Sequence, residues 1–247
     1  MSRRIRITIA YDGADYSGWQ VQPGRSTIQA TLETIISGIE GKPVHVGASG
    51  RTDAGVHALA QVAAFDLDNP IPCENLRKAI NRLLPPDIRI LNAEDVPTNF
   101  NARHDAIAKT YEYRIWRGEI CSPFERRYVC HYPYIIDEEK MNEFAPLLEG
   151  EHDFTAFASS DDRGVRTKVR TIFRSSLERR NELLVYRVTG SGFLKHMVRN
   201  IVGVLLEVGK GNSNAGDVRA RLISHHGFLP GPAVPASGLI LISVEYD

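Results

Sequence analysis

The sequence predicts an α+β fold, on three observations. Ile5, Ile7 and Ile9 alternate with Arg6 and Thr8 at the two-residue period of a half-buried strand. Ile28, Leu32, Ile35, Ile36 and Ile39 then recur at the spacing of one helical face. The stretch from Gly238 to Tyr246 is a near-continuous apolar run, the pattern of a strand lying inside a sheet rather than at its edge. With 247 residues and 43% apolar content the chain can bury a substantial core, as one large domain or two smaller units.

The elements follow in order. The first strand stops at Tyr11-Asp12-Gly13, and Ser26-Thr27 supplies capping hydroxyls to the helix that begins at Ile28. Ala60 to Leu67 reads as a second strand, Cys73 to Leu84 as a helix stopped by Pro85-Pro86, and Ile88 to Ala93 as another strand. The rhythm repeats with strands at Lys109 to Trp116, Arg170 to Leu177 and Leu183 to Gly190. Helices are expected at Asp137 to Leu148, Leu194 to Val208 and Val218 to Ser224. Two α+β halves result, 1–105 and 106–247, with no strict internal repeat and no low-complexity linker.

Composition limits the partners. Thirty basic and thirty acidic residues cancel, so attraction to a polyanion has to come from local clusters rather than the overall field. Cys73, Cys121 and Cys130 form no Cys-x-x-Cys pair, which fits a reducing compartment and argues against structural zinc. Met1 to Ala10 is neither a signal peptide nor a membrane span, so a cytoplasmic protein is expected.

The most informative stretch is Gly50-Arg51-Thr52-Asp53-Ala54-Gly55-Val56-His57-Ala58, a carboxylate between an arginine and a histidine in a glycine-tightened turn. On residue types alone it suits either an active-site loop or an ordinary turn in which Asp53 bonds its own backbone. Its sequence resembles the catalytic signature of the tRNA pseudouridine synthase A family. Further blocks resemble that family in the same order: Tyr11-Asp12-Gly13 with Tyr16-Ser17-Gly18-Trp19-Gln20-Val21-Gln22, Phe100-Asn101-Ala102-Arg103, Lys109-Thr110-Tyr111-Glu112-Tyr113, Gly192 through Gly203, and Ala236-Ser237-Gly238-Leu239.

The resemblance implies the pseudouridine synthase fold: two α/β halves with a joined, mainly antiparallel mixed sheet and a central RNA-binding cleft. The 1–105 half would carry the catalytic Asp loop and the 106–247 half would complete the cleft. It further implies a homodimer that isomerises uridine to pseudouridine in the anticodon stem-loop of tRNA, at positions 38, 39 and 40. The reaction breaks the bond from ribose C1′ to uracil N1, turns the base and rejoins it through C5. It changes no oxidation state and adds no atoms, so no cofactor or metal is expected.

Asp53 is assigned to the positive charge that builds at C1′, by electrostatic stabilisation or covalent capture. One carboxylate is enough because uracil leaves as a resonance-stabilised anion, provided water is kept out. To stay ionised in a dry pocket the carboxylate needs a cation, and Arg199 is the family's candidate. On its predicted helix Arg199 shares a polar stripe with His196, Asn200, Gly203 and Glu207, which by itself also describes a solvated face. Alternation puts Tyr111 and Tyr113 on one face of their strand and Thr110 and Glu112 on the other, a pattern that core aromatics also show. The resemblance instead places Tyr111 on the uracil, with its phenol helping to move the C5 proton.

Leu239 would be an apolar wall for the detached base. Arg51 either pairs with Asp53 or reaches RNA, where the resemblance gives it a part in displacing the nucleotide from its stack. His57 is expected to hydrogen-bond or face RNA rather than bind metal, and Trp19 is either structural or in contact with substrate. Arg163, Arg166, Lys168 and Arg170 form the clearest basic cluster for RNA phosphates. The rival readings are a noncatalytic RNA-binding module or RNA chaperone, and a metal-dependent nuclease or glycosylase built on Asp53 and His57.

Overall fold

The computed structural model describes residues 2–159, 167–223 and 233–247. The chain forms two compact units, Met1–Ile107 with Leu241–Asp247, and Ala108–Ile240.

The first unit opens with β1 (Arg3–Tyr11), then α1 (Ile28–Glu40), β2 (Gly47–Ala48), β3 (His57–Leu67), α2 (Cys73–Leu83) and β4 (Ile88–Val96). The expected alternation is present, with Ile5, Ile7 and Ile9 fully buried on one face of β1. Antiparallel ladders join β1 to β3 and to β4, and β2 pairs with the inner part of β3. Thr27 caps α1 by accepting the Ala30 N–H, and Ile28, Leu32 and Ile36 form its buried stripe. Helix α2 stops at Leu83, because Leu84 precedes a proline and takes extended backbone.

On the opposite face of β1, Arg4 pairs with Asp66, Arg6 with Glu94, and the Arg6 guanidinium lies over the rings of Phe100 and Tyr246. These rings, with Val244, cover Val62, Ala64 and Ala102 in a second small core. The Phe100-Asn101-Ala102-Arg103 block is therefore packed against its own sheet.

The second unit holds β5 (Ala108–Trp116), β6 (Cys130–His131), α3 (Glu138–Phe144), β7 (Gly150–Asp153), β8 (Val169–Arg180), β9 (Leu183–Gly190), α4 (Met197–Gly209) and α5 (Ala215–Ile223). Its strands run in the order β5-β9-β8-β7, antiparallel, with β6 parallel on β5. Asn181 adopts left-handed backbone (φ 54°) in the two-residue turn that joins β8 to β9. The final strand, β10 (Leu239–Glu245), lies beside β3 where it belongs to the first unit. The class is α+β with a mainly antiparallel mixed sheet, as predicted.

Three helices depart from the expectation; α5 begins at Ala215 rather than Val218, and Ser224 lies outside the described residues. The run expected as one helix over Asp137 to Leu148 is α3 followed by a 3-10 turn, Ala145–Leu148, because Pro146 supplies no N–H to continue the α-helical pattern. Helix α4 starts at Met197 rather than Leu194, and it lacks the solvated polar stripe. Asn200 and Gly203 are buried with the apolar residues, and the Asn200 amide donates to the Phe157 carbonyl at 2.8 Å. The buried Asn200 amide is thus satisfied by neighbouring backbone, while Glu207 accepts from the Lys210 and Asn212 side chains.

Candidate active site

The signature loop runs between β2 and β3 in the first unit and is held by bonds to distant segments. The Thr52 carbonyl accepts the Trp19 N–H at 3.0 Å, the Gly55 N–H donates to the Tyr16 carbonyl at 3.2 Å, and Val56 N–H closes a turn on the Asp53 carbonyl at 3.2 Å. Arg51 is exposed, Thr52 buried and Asp53 half-buried.

Close backbone approach explains two glycines of the opening motifs. A Cβ at Gly13 would lie 1.9 Å from the Val56 carbonyl oxygen. One at Gly18, where φ is +91°, would lie 2.6 Å from the Thr52 oxygen. No side chain fits at either point.

His57 is turned inward, 3% exposed. Its Nδ1 accepts the Gly13 N–H at 3.1 Å and also lies 3.1 Å from Asp12 Oδ1. One ring nitrogen cannot accept from the first and donate to the second. The Asp12 Oδ1 atom also accepts the Ala14 N–H at 3.0 Å, so Asp12, Gly13 and Ala14 are gathered against the ring. Trp19 is 2% exposed and contributes its backbone N–H to the loop.

In the second unit Tyr111 stands on β5 opposite Val188, buried, its ring edge-on to Phe193 at 5.1 Å between centroids. Tyr113, on the same face of the strand, is fully buried and donates its hydroxyl to the Pro235 carbonyl at 2.8 Å. Burial drives its phenol well above the ordinary tyrosine value. Arg199 lies half-buried in the first turn of α4 and donates from Nε to the Val234 carbonyl at 2.8 Å.

Strand β5 and helix α4 thus grip adjacent carbonyls of the segment leading into Ala236-Ser237-Gly238-Leu239. Ser237 adds a bond to the Val129 carbonyl at 3.1 Å, and Leu239 is buried at the start of β10. Within this unit Tyr111, Arg199 and Leu239 are therefore carried by mutually bonded elements.

Glu112 points to the other face of β5, where Arg187 and Arg114 reach it at 3.1 and 3.2 Å. Of the basic cluster, Lys168 is half-buried and its carbonyl accepts the Phe154 N–H at 3.1 Å. Arg163 and Arg166 lie outside the described residues. Among the described residues no group of three or more His, Cys, Asp or Glu side chains is arranged to hold a metal ion, and no helix is long and apolar enough to cross a membrane.

Several residues are given no role in the reading from sequence: Tyr11, Thr52 and Gln61 in the first unit, and Val234 and Pro235 in the second. A signal existed for Gln61, a lone polar residue inside the apolar strand Ala60-Gln61-Val62-Ala63-Ala64-Phe65. It is completely buried.

The sequence profile of the family described as tRNA pseudouridine synthase matches residues 7–105 and 144–247. The chain is 62% identical over 247 residues to a protein named tRNA pseudouridine synthase A from Solibacter usitatus (strain Ellin6076), covering 99% of this chain and 100% of that relative. It is 45% identical over 246 residues to the protein of that name from Anoxybacillus flavithermus (strain DSM 21510 / WK1), covering 99% of each. Against the one from Geobacillus kaustophilus (strain HTA426) it is 41% identical over 248 residues, covering 100% of this chain and 96% of the relative.

Proposed function

Because this chain belongs to the tRNA pseudouridine synthase family, we propose that it isomerises uridine at positions 38, 39 and 40 of the tRNA anticodon stem-loop, with Asp53 as the catalytic carboxylate. The chain is an isomerase of tRNA uridine. The finer assignment makes Tyr111 and Arg199 the further catalytic residues. Arg51, Leu239 and the Arg163, Arg166 and Lys168 region meet the substrate. A cytoplasmic homodimer completes the proposal.

The observation that carries the reading is the full-length similarity to synthases of this name, with the Gly50 to Ala58 signature standing in a loop whose backbone is fixed from both sides. Such fixation suits an electrostatic catalyst. A carboxylate that is already oriented needs no reorganisation as charge builds on the sugar carbon. His57 enters the proposal as a residue bonded within the loop's support, so any effect it has on RNA is transmitted through Gly13.

The test is incubation with an unmodified tRNA transcript and mapping of pseudouridine by nucleotide. Product at positions 38 to 40, lost in Asp53→Asn with tRNA binding kept, is the expected result. An undiminished yield from Asp53→Asn would overturn the catalytic assignment, and product at other positions the substrate assignment. Sedimentation of the free protein as a dimer is expected alongside.

A further inference from the structure

The motif Tyr11-Asp12-Gly13 and Gln61, fully buried in the middle of β3, carry no part of the reaction, yet both end on the loop that holds Asp53. We propose that Tyr11 and Gln61 are positioning residues for the reaction: acting through Thr52 and Gly50, they fix the direction in which Asp53 presents its carboxylate. The inference rests on Asp53 being the catalytic group.

The argument starts from a buried hydrogen-bond chain inside the first unit. Tyr11, at the end of β1, places its hydroxyl 2.8 Å from Thr52 Oγ1, across 41 residues of sequence. Gln61 donates from Nε2 to the Gly50 carbonyl at 3.0 Å, while its Oε1 accepts from Ser49 Oγ at 2.6 Å and from the Val62 N–H at 3.1 Å. Burial pushes the Tyr11 phenol up to about 12, so it remains a neutral hydroxyl at any working pH.

Two of the three residues that precede Asp53 in the signature, Gly50 and Thr52, are thus tied down. Thr52 is held twice, by its hydroxyl to Tyr11 and by its carbonyl to the Trp19 N–H. Stability alone does not call for this arrangement. A phenylalanine facing a valine would fill the same space, and exchanging both partners of a buried hydrogen bond for apolar groups is close to neutral. What the polar pair adds is direction, because a hydroxyl pair accepts one rotamer and one register where an apolar contact tolerates several. In a preorganised site a displacement of about 1 Å costs on the order of 100-fold in rate.

The experiment measures kcat and KM of the full chain on an unmodified tRNA transcript, well below the melting temperature of each variant. Tyr11→Phe and Thr52→Val are each expected to lower kcat about ten-fold while leaving KM within about two-fold, since neither side chain is exposed to RNA. The double variant should lose no more than the worse single one, and Thr52→Ser should recover most of what Thr52→Val loses. Full kcat in folded Tyr11→Phe and Thr52→Val would overturn the inference, as would losses that multiply in the double variant or that lie wholly in KM. If Tyr11→Phe does not fold, the Val and Ser variants of Thr52 decide by the same criterion. Asp53→Asn is run beside them: retained activity there sinks the catalytic reading itself, whereas an inactive Asp53→Asn beside a fully active Tyr11→Phe sinks only the positioning role.

Discussion

Adding one methyl group at Gly13 is the sharpest perturbation the structure offers. The new Cβ would sit 1.9 Å from the Val56 oxygen and 2.7 Å from its carbonyl carbon, where real contacts stay beyond 3.0 Å. Gly13 is not among the positive-φ glycines, so backbone strain plays no part and the cost is pure contact. Relief requires the two backbones to separate by more than an ångström, which breaks the Gly13 N–H bond to His57 at 3.1 Å. Overpacking of this kind costs about 1–3 kcal/mol, and stranding a buried donor about as much again.

Gly13→Ala should therefore lose about 2–6 kcal/mol and melt roughly 10 °C lower. Because Val56 closes its turn on Asp53, the same shift should lower kcat by on the order of 100-fold. Gly47→Ala is the control, since its Cβ meets nothing nearer than the Ala64 oxygen at 3.8 Å. Melting by circular dichroism and single-turnover pseudouridine formation read both quantities. A Gly13→Ala protein that melts and turns over like the control would refute the contact argument.

Burial raises the phenols of Tyr11, Tyr113, Tyr186 and Tyr246, Tyr11 to about 12. A tyrosine held protonated in the folded chain and released in the unfolded one stabilises fully below about pH 10, and the stability falls as pH rises beyond that, by up to about 1.4 kcal/mol per pH unit and group. Absorbance at 295 nm should thus show these phenols ionising only with a cooperative unfolding step above pH 10; their titration near pH 10 without unfolding would contradict the burial argument. Tyr113→Phe removes the bond that tethers Pro235, and should cost about 1 kcal/mol in a denaturant melt. No change in the midpoint would show that the tether contributes nothing.

Local pattern was sufficient where an element's own residues decide its state. Alternation located β1, and β9 spans the expected Leu183 to Gly190, since the face each side chain takes is written in the two-residue period. Local rules also held at Pro85 and Pro146, although the second breaks a helix that periodicity alone carried through.

What pattern missed lies where partners are far apart in sequence. Asn200 and Gly203 look like a solvated stripe on α4 until neighbouring backbone and core cover them. Gly13 and Gly18 look like ordinary turn glycines until Val56 and Thr52 come within reach of their missing Cβ atoms. The sequence by itself determined the α+β class, the family and the loop that bears Asp53, because periodicity and short motifs are properties of neighbouring residues. Only the tertiary structure decided that Tyr11 meets Thr52, that His57 turns inward to Gly13, and that Arg199 and Tyr113 grip adjacent carbonyls, because contacts across tens of residues exist only once the chain has folded back on itself.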